Sequence, residues 1–278
     1  MLQICRMNIL VVDYVDSRGV WLRAGEEPVL LPKREAGGAR VDEPVTVFVF
    51  RDSTGRLRAT RRQPVAQVGE FALLAVRSVT PHGAFLDWGM EKDLLAPGAL
   101  QPRRMKEGER HLVKICLDEQ ERPFANARLE SCLEPEGRDL TEGDEVVLVL
   151  WEFTDLGAKV FVDHRYLGLL YREELAGDMA PGDRLTGYVK RLRDDGKIDV
   201  TLHKVGAQGA EEARDTLLAA LRQNDGFLPL HDNSSPEQIR NSLGLSKKAF
   251  KKALGGLYKA GKVEILPDGI RAKLIADS

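Results

Sequence analysis

The chain has 278 residues, is 43% hydrophobic and carries a net charge of -2. These values exclude a chain without a packed core and predict roughly two to four small folded domains. The near-neutral charge excludes nothing about partners, because the ends and the middle differ in sign: +3 over residues 1–64, -3 over 65–136, -4 over 137–205 and +2 over 206–278.

Cys5, Cys116 and Cys132 are an odd number without paired spacing. They argue against a disulfide framework or a zinc site, read as small buried apolar residues, and fit a reducing cytoplasm. No apolar run reaches the length of a membrane span, and the first residues lack the pattern of an export signal. The expectation is a cytoplasmic protein with no membrane contact.

In chain order, residues 1–64 predict five strands. They are Asn8 to Val15, Gly19 to Leu22, Val29 to Pro32, Val45 to Phe50 and Arg56 to Thr60, the last two joined by a turn at Asp52 to Gly55. β-branched and aromatic residues between Gly, Pro and Asp breaks carry this reading. Residues 65–136 repeat the order, with strands at Leu73 to Val79, Gly83 to Asp87, Leu94-Leu95, Leu112 to Leu117 and Phe124 to Leu129. Residues 137–205 repeat it again, at Glu145 to Trp151, Ala158 to Asp163, Gly168 to Tyr171, Leu185 to Arg191 and Ile198 to Leu202. Each repeat has a glycine at the start of its second strand or just before it, at Gly19, Gly83 and Gly157. Such self-similarity is the signature of tandem modules. Five short strands with a tight final hairpin predict a five-stranded barrel of the OB type.

From residue 206 the apolar period becomes helical. Glu211 to Gln223 presents Ala213, Leu217, Leu218 and Leu221 on one side. Ser235-Pro236-Glu237-Gln238 is a capping box, Gly244 stops that helix, and Ser246 caps a third with Phe250, Leu254 and Leu257 inward. A hairpin of Val263 to Leu266 and Ile270 to Ile275 follows. Three helices and a hairpin predict a winged helix in residues 206–278. The fold class is mainly β: three tandem OB-type barrels, then an α+β winged-helix domain.

Strand alternation turns Phe85 outward while Ala84 and Leu86 face the core. An outward aromatic is a stacking platform for a base, or a cover over a neighbouring module. Trp21 carries the same two readings. Arg56 and Arg58 share an outward side opposite Leu57 and Ala59, which reads as a phosphate track or as a solvated face. Lys247, Lys248, Lys251 and Lys252 lie off the apolar stripe of the third helix, for contact with nucleic acid or as a soluble face on a docking domain. No phosphate loop, HExxH, GxSxG or paired-cysteine pattern is present, and the histidines are scattered. The expectation is a binder with no catalytic residue, metal or cofactor.

Gly83-Ala84-Phe85-Leu86, Gly168-Leu169-Leu170-Tyr171 and Gly182-Asp183…Gly187-Tyr188-Val189 resemble the S-one type RNA-binding repeat, with the first module the weaker match. Three such barrels and a winged helix, in this order, resemble the conserved virulence factor B family of bacterial RNA-binding regulators. The resemblance implies base stacking at Trp21, at Phe85 and at the Lys159 position, where Phe161 shares the outward face. It implies Arg18, His82 and Leu156 three residues earlier, and Pro32, Ala96 and Tyr171 on the third strand. It implies Arg56, Arg122 and Lys197 as basic hairpin residues, opposite Asp52, Asp118 and Arg193. The partner so implied is single-stranded RNA. The alternative is a DNA-binding transcriptional regulator that reads through the winged helix, or a scaffold for ribosome- or polymerase-associated partners.

Overall fold

A computed structural model describes residues 2–25, 27–52, 54–135, 139–175 and 177–273, the side chains of 207 and 208 excepted. The expected boundary at residues 136 and 137 and the end of the last strand, residues 274 and 275, lie outside them. The first module holds β1 (Arg6–Asp16), β2 (Gly19–Leu22), β3 (Val29–Pro32), β4 (Pro44–Arg51) and β5 (Leu57–Thr60). They close into a barrel in the order β1-β2-β3-β5-β4. The second holds β6 (Phe71–Thr80), β7 (Gly83–Asp87), β8 (Leu94–Pro97), β9 (Arg110–Leu117) and β10 (Pro123–Asn126). It runs β10-β9-β6-β7-β8, the same circular order, with β8 and β10 in contact without a ladder. The third holds β11 (Glu145–Thr154), β12 (Gly157–Val162), β13 (Tyr166–Tyr171), β14 (Arg184–Leu192) and β15 (Ile198–Thr201), and closes like the first.

One backbone device recurs in each module. Gly19, Gly83 and Gly157 have φ of +153°, +153° and +149°. A Cβ on them would lie 2.2, 2.2 and 2.1 Å from the carbonyl oxygens of Leu31, Ala96 and Leu170 on the next strand. Only glycine allows that approach. The first strand bulges at the matching place each time, between Val12 and Tyr14, Val76 and Ser78, and Leu150 and Glu152. The bulge bends a long strand around the barrel.

Two compact units divide the chain: residues 1–137 with 147–185, and residues 138–146 with 186–278. The strands of the third barrel are shared between them. In the first unit, Phe48 of β4 is fully buried in the apolar cluster of the second barrel and meets Trp88 edge-on at 5.9 Å. The Met7 amide donates to Gln67 Oε1 at 2.7 Å, and Arg51 pairs with Glu121 at 2.7 Å.

The second unit contains α1 (Gly206–Gln223), α2 (Pro236–Leu243), α3 (Lys247–Lys259) and the sheet β16 (Phe227–Leu228), β18 (Gly269–Ala272), β17 (Val263–Leu266). Ser235 Oγ accepts from the Gln238 amide while the Gln238 side chain returns to the Ser235 amide, and Gly244 ends α2 at φ +66°. Ser246 caps α3, which buries Phe250, Ala253, Leu254 and Leu257. Helix α1 starts at Gly206, ahead of the expected Glu211. Its apolar period begins only at Ala213, so the residues before it leave no pattern. No helix among the described residues is long and apolar enough to cross a membrane.

Candidate nucleic-acid interface

The bulge and the glycine together fix which residues face each other across the first two strands of each barrel. In the first barrel Tyr14 pairs with Trp21, in the second Ser78 with Phe85, and in the third Glu152 with Lys159. The Tyr14 and Trp21 rings stack at 5.6 Å and 17°. The Arg18 guanidinium lies 4.7 Å from the Trp21 ring centre, held by Asp16 at 2.9 Å. Lys159 instead meets Glu152 at 3.1 Å and stands 5.0 Å over Trp151. One ladder position thus holds a two-ring platform, a single half-buried ring and an ion pair in turn. Tyr14, 41% exposed, has no counterpart in the sequence reading. It becomes visible only once the bulge shifts the register by one residue.

The row continues across the first barrel. Trp21 pairs with Leu30, and Leu30 with Arg58 on the parallel neighbour β5. Trp21, Arg18, Arg56 and Arg58 line one groove together with Arg51, Thr54 and one acid, Glu27. Stacking surface and cationic side chains therefore meet on this barrel as the strand order requires. Asp52 holds Arg58 at 3.0 Å and also accepts from Thr54, which keeps its carboxyl well below the usual carboxylate range. Arg56 is exposed, and no ion pair engages it among the described residues.

The last hairpin repeats in all three barrels. The amides of Asp52, Asp118 and Arg193 donate to the carbonyls of Arg56, Arg122 and Lys197 at 2.9, 3.0 and 2.9 Å. Arg122 is exposed but tied to Asp118 at 2.7 Å, and Lys197 to Asp195 at 3.3 Å. In the third hairpin the acid has moved from 193 to 195, and Arg193 pairs with it at 3.2 Å. His82 is an exposed turn residue whose carbonyl accepts from Gly98. Phe85 and Tyr171 are half-buried.

Two expectations are corrected. Phe161 does share the outer face of its strand with Lys159, but the second barrel covers that face. Phe161 is fully buried, stacked on Phe71 at 3.7 Å and 6° and on Trp151 at 5.2 Å. The Phe71 amide donates to His164 Nδ1 at 3.0 Å, and the His164 ring stacks on Phe71 at 6.1 Å. This ring column joins two barrels and offers nothing to a base. On the third strand of the second barrel, the residue opposite the glycine is Pro97, not Ala96. Gly19 faces Pro32, Gly83 faces Pro97 and Gly157 faces Tyr171, while Ala96 points into the core.

Of the three cysteines, Cys5 is buried as expected, whereas Cys116 and Cys132 are only half-buried. Burial pushes the Cys5 thiol up to about 12. Cys116 and Cys132 donate to the carbonyls of Lys114 at 3.8 Å and Arg128 at 3.7 Å, and their mutual influence lowers the Cys132 thiol and raises that of Cys116. On α3, Lys248, Lys251 and Lys252 are exposed and Lys247 is half-buried, all off the buried stripe. Lys251 reaches Asp232 at 3.6 Å.

Comparison with known proteins agrees with this architecture. Residues 4–62 match the S1 domain family, which falls on the first barrel, read from sequence as the weaker resemblance. Residues 215–271 match the CvfB-like winged helix domain family. The chain is 28% identical to YitL of Bacillus subtilis (strain 168), over 91% of this chain and 88% of that protein. It is 22% identical to conserved virulence factor B of Staphylococcus aureus (strain bovine RF122 / ET3-1), over 81% and 78% of the two chains. A multidomain protein with nucleic acid binding domains from Streptococcus pneumoniae is similar at 23% identity and a TM-score of 0.40, covering 97% and 98%. The chain thus stands among the homologues of conserved virulence factor B, with an S1 domain over residues 4–62 and a CvfB-like winged helix over 215–271.

Proposed function

We propose that this chain is a non-enzymatic regulator that binds single-stranded RNA, with the first barrel as its principal grip. The observation that carries the reading is the groove holding Trp21, stacked on Tyr14, with Arg18, Arg56 and Arg58. Flat rings accept bases of any identity, and guanidinium groups on the same face meet the phosphates. Each stacked base contributes about 1–3 kcal/mol. The second barrel adds Phe85, and the third adds Tyr171 with its strand-two position converted to an ion pair. Weak modules on one chain gain affinity through effective concentration. The exposed lysines of α3 supply further phosphate contacts and favour a second reading, duplex DNA held by the winged helix.

The test is binding of the full chain to a uridine homopolymer at two salt concentrations. Trp21→Ala is expected to weaken binding by roughly tenfold, the loss of about one stacked base. Removing Arg56 and Arg58 is expected to reduce the salt slope by about 1.4, at about 0.7 per phosphate contact on a single strand. Duplex DNA that displaces the RNA stoichiometrically, with Trp21→Ala inert, selects the second reading.

A further inference from the structure

The junction of the first two barrels encloses a cavity of about 390 Å³ that continues the groove beside Trp21, with Arg51 and Arg58 common to both. That volume lies within the range of about 300–1,000 Å³ of small-molecule sites. Phe50, Trp88, Met90 and Pro123 give it apolar walls. Trp88 is fixed by its indole N–H, which donates to the Lys92 carbonyl at 2.7 Å, and by edge-on contact with Phe48. The walls belong to two barrels packed through a shared apolar cluster, so the cavity is preformed.

Its charge is decided by which side chains are already engaged. Four carboxylates reach the lining, and each is occupied. Glu35 accepts from Thr60 and from the Arg61 amide, Asp52 from Thr54 and Arg58, Glu91 from Arg34 at 2.6 Å, and Asp93 faces Arg77 at 3.6 Å. Arg62 and Lys92 also line the cavity, are exposed, and have no ion-pair partner among the described residues. The uncompensated charge is therefore positive and shares the cavity with apolar walls. A ligand that matches has one flat apolar body and an anionic tail.

We propose that this cavity is a binding site for one nucleoside phosphate. The base lies between Phe50 and Met90, and the phosphate meets Arg62 and Lys92. The inference rests on the RNA-binding reading only in its source of ligand. A strand that stacks on Trp21 passes Arg58 and delivers its next nucleotide to the slot, whereas a free mononucleotide enters directly.

Calorimetric titration of the full chain with uridine monophosphate, adenosine monophosphate and inorganic phosphate tests the site. Photocrosslinking of a thiouridine-labelled hexauridylate runs alongside. Saturable mononucleotide binding, weakened about tenfold or more by Arg62→Glu with Lys92→Glu at unchanged Tm, supports a free nucleotide. Crosslinks to Trp88 or Met90 without mononucleotide binding support a nucleotide of the strand. Phosphate binding as tightly as the mononucleotides, or neither saturation nor crosslinks at these residues, overturns the proposal. Trp21→Ala separates the two readings. It weakens the hexamer and leaves mononucleotide binding intact if the cavity is a site in its own right.

Discussion

Phe161→Ala separates the structural role of this ring from the nucleic-acid role that its place on the strand suggested. Phe161 is fully buried and in face contact with both Phe71 and Trp151, so truncation removes a whole side chain from a closed cluster. Burial loss and the cavity left behind cost about 3–5 kcal/mol for Phe→Ala. Within that, two ring pairs account for about 0.5–1.5 kcal/mol each. Phe161→Leu keeps most of the apolar volume and loses the ring contacts, so it is expected to cost about 1–3 kcal/mol, the sum of the two pairs. The assay is urea unfolding of both variants beside the parent, with uridine homopolymer binding measured below the transition. The expected order of stability is parent, Leu, Ala, with folded-state affinity nearly unchanged. A Phe161→Ala protein as stable as the parent but weaker for RNA would refute the buried-column account and restore Phe161 to the binding surface.

Three further outcomes follow from the same geometry. Burial, aided by Arg184 and Lys114 and opposed by Glu70 and Asp163, holds the His164 ring below its ordinary value of 6.5. Its Nδ1 accepts from Phe71, so the neutral ring is the folded form. Stability from this group is full above pH 6.5 and declines as pH falls from 6.5 towards the lowered value. Thermal melts between pH 7.5 and 5 should show that loss (about neutral to mildly acid conditions), and His164→Phe should flatten it. Gly83→Ala forces a Cβ against the Ala96 carbonyl at positive φ and should destabilise by at least about 2 kcal/mol in urea unfolding, whereas Gly55→Ala meets open space and should cost less. Alkylation mapped by mass spectrometry should modify Cys132 first at neutral pH, because its thiol is held below the ordinary value, and Cys5 last, because it is fully buried.

Much of the barrel fold was legible because each module repeats one local instruction. A glycine opens a strand whose next residues alternate core and solvent. Val20 and Leu22, Ala84 and Leu86, and Ala158 and Val160 are all buried, with Trp21, Phe85 and Lys159 half-exposed between them. The winged helix was legible from the Ser235 and Ser246 caps and the Gly244 stop. Alternation could not show which outer faces another barrel covers. Phe161 and Phe85 have the same local pattern, and only packing against Phe71 distinguishes them. The bulge hid Tyr14, since one extra residue moves a side chain to the other face. A single-residue slip likewise put Ala96 where Pro97 belongs. Strand β16 has two residues and too little pattern to be read.

The ladder position that carries Tyr14–Trp21, Ser78–Phe85 and Glu152–Lys159 lies outside all three cores, on backbone fixed by glycine and bulge. Side chains there can be exchanged without disturbing the barrels beneath. The chain therefore contains its own calibration series, three versions of one socket graded from two rings to none. On the proposed function, transplanting the Tyr–Trp pair into the third socket is expected to strengthen RNA binding there, and the reverse exchange to weaken it at the first.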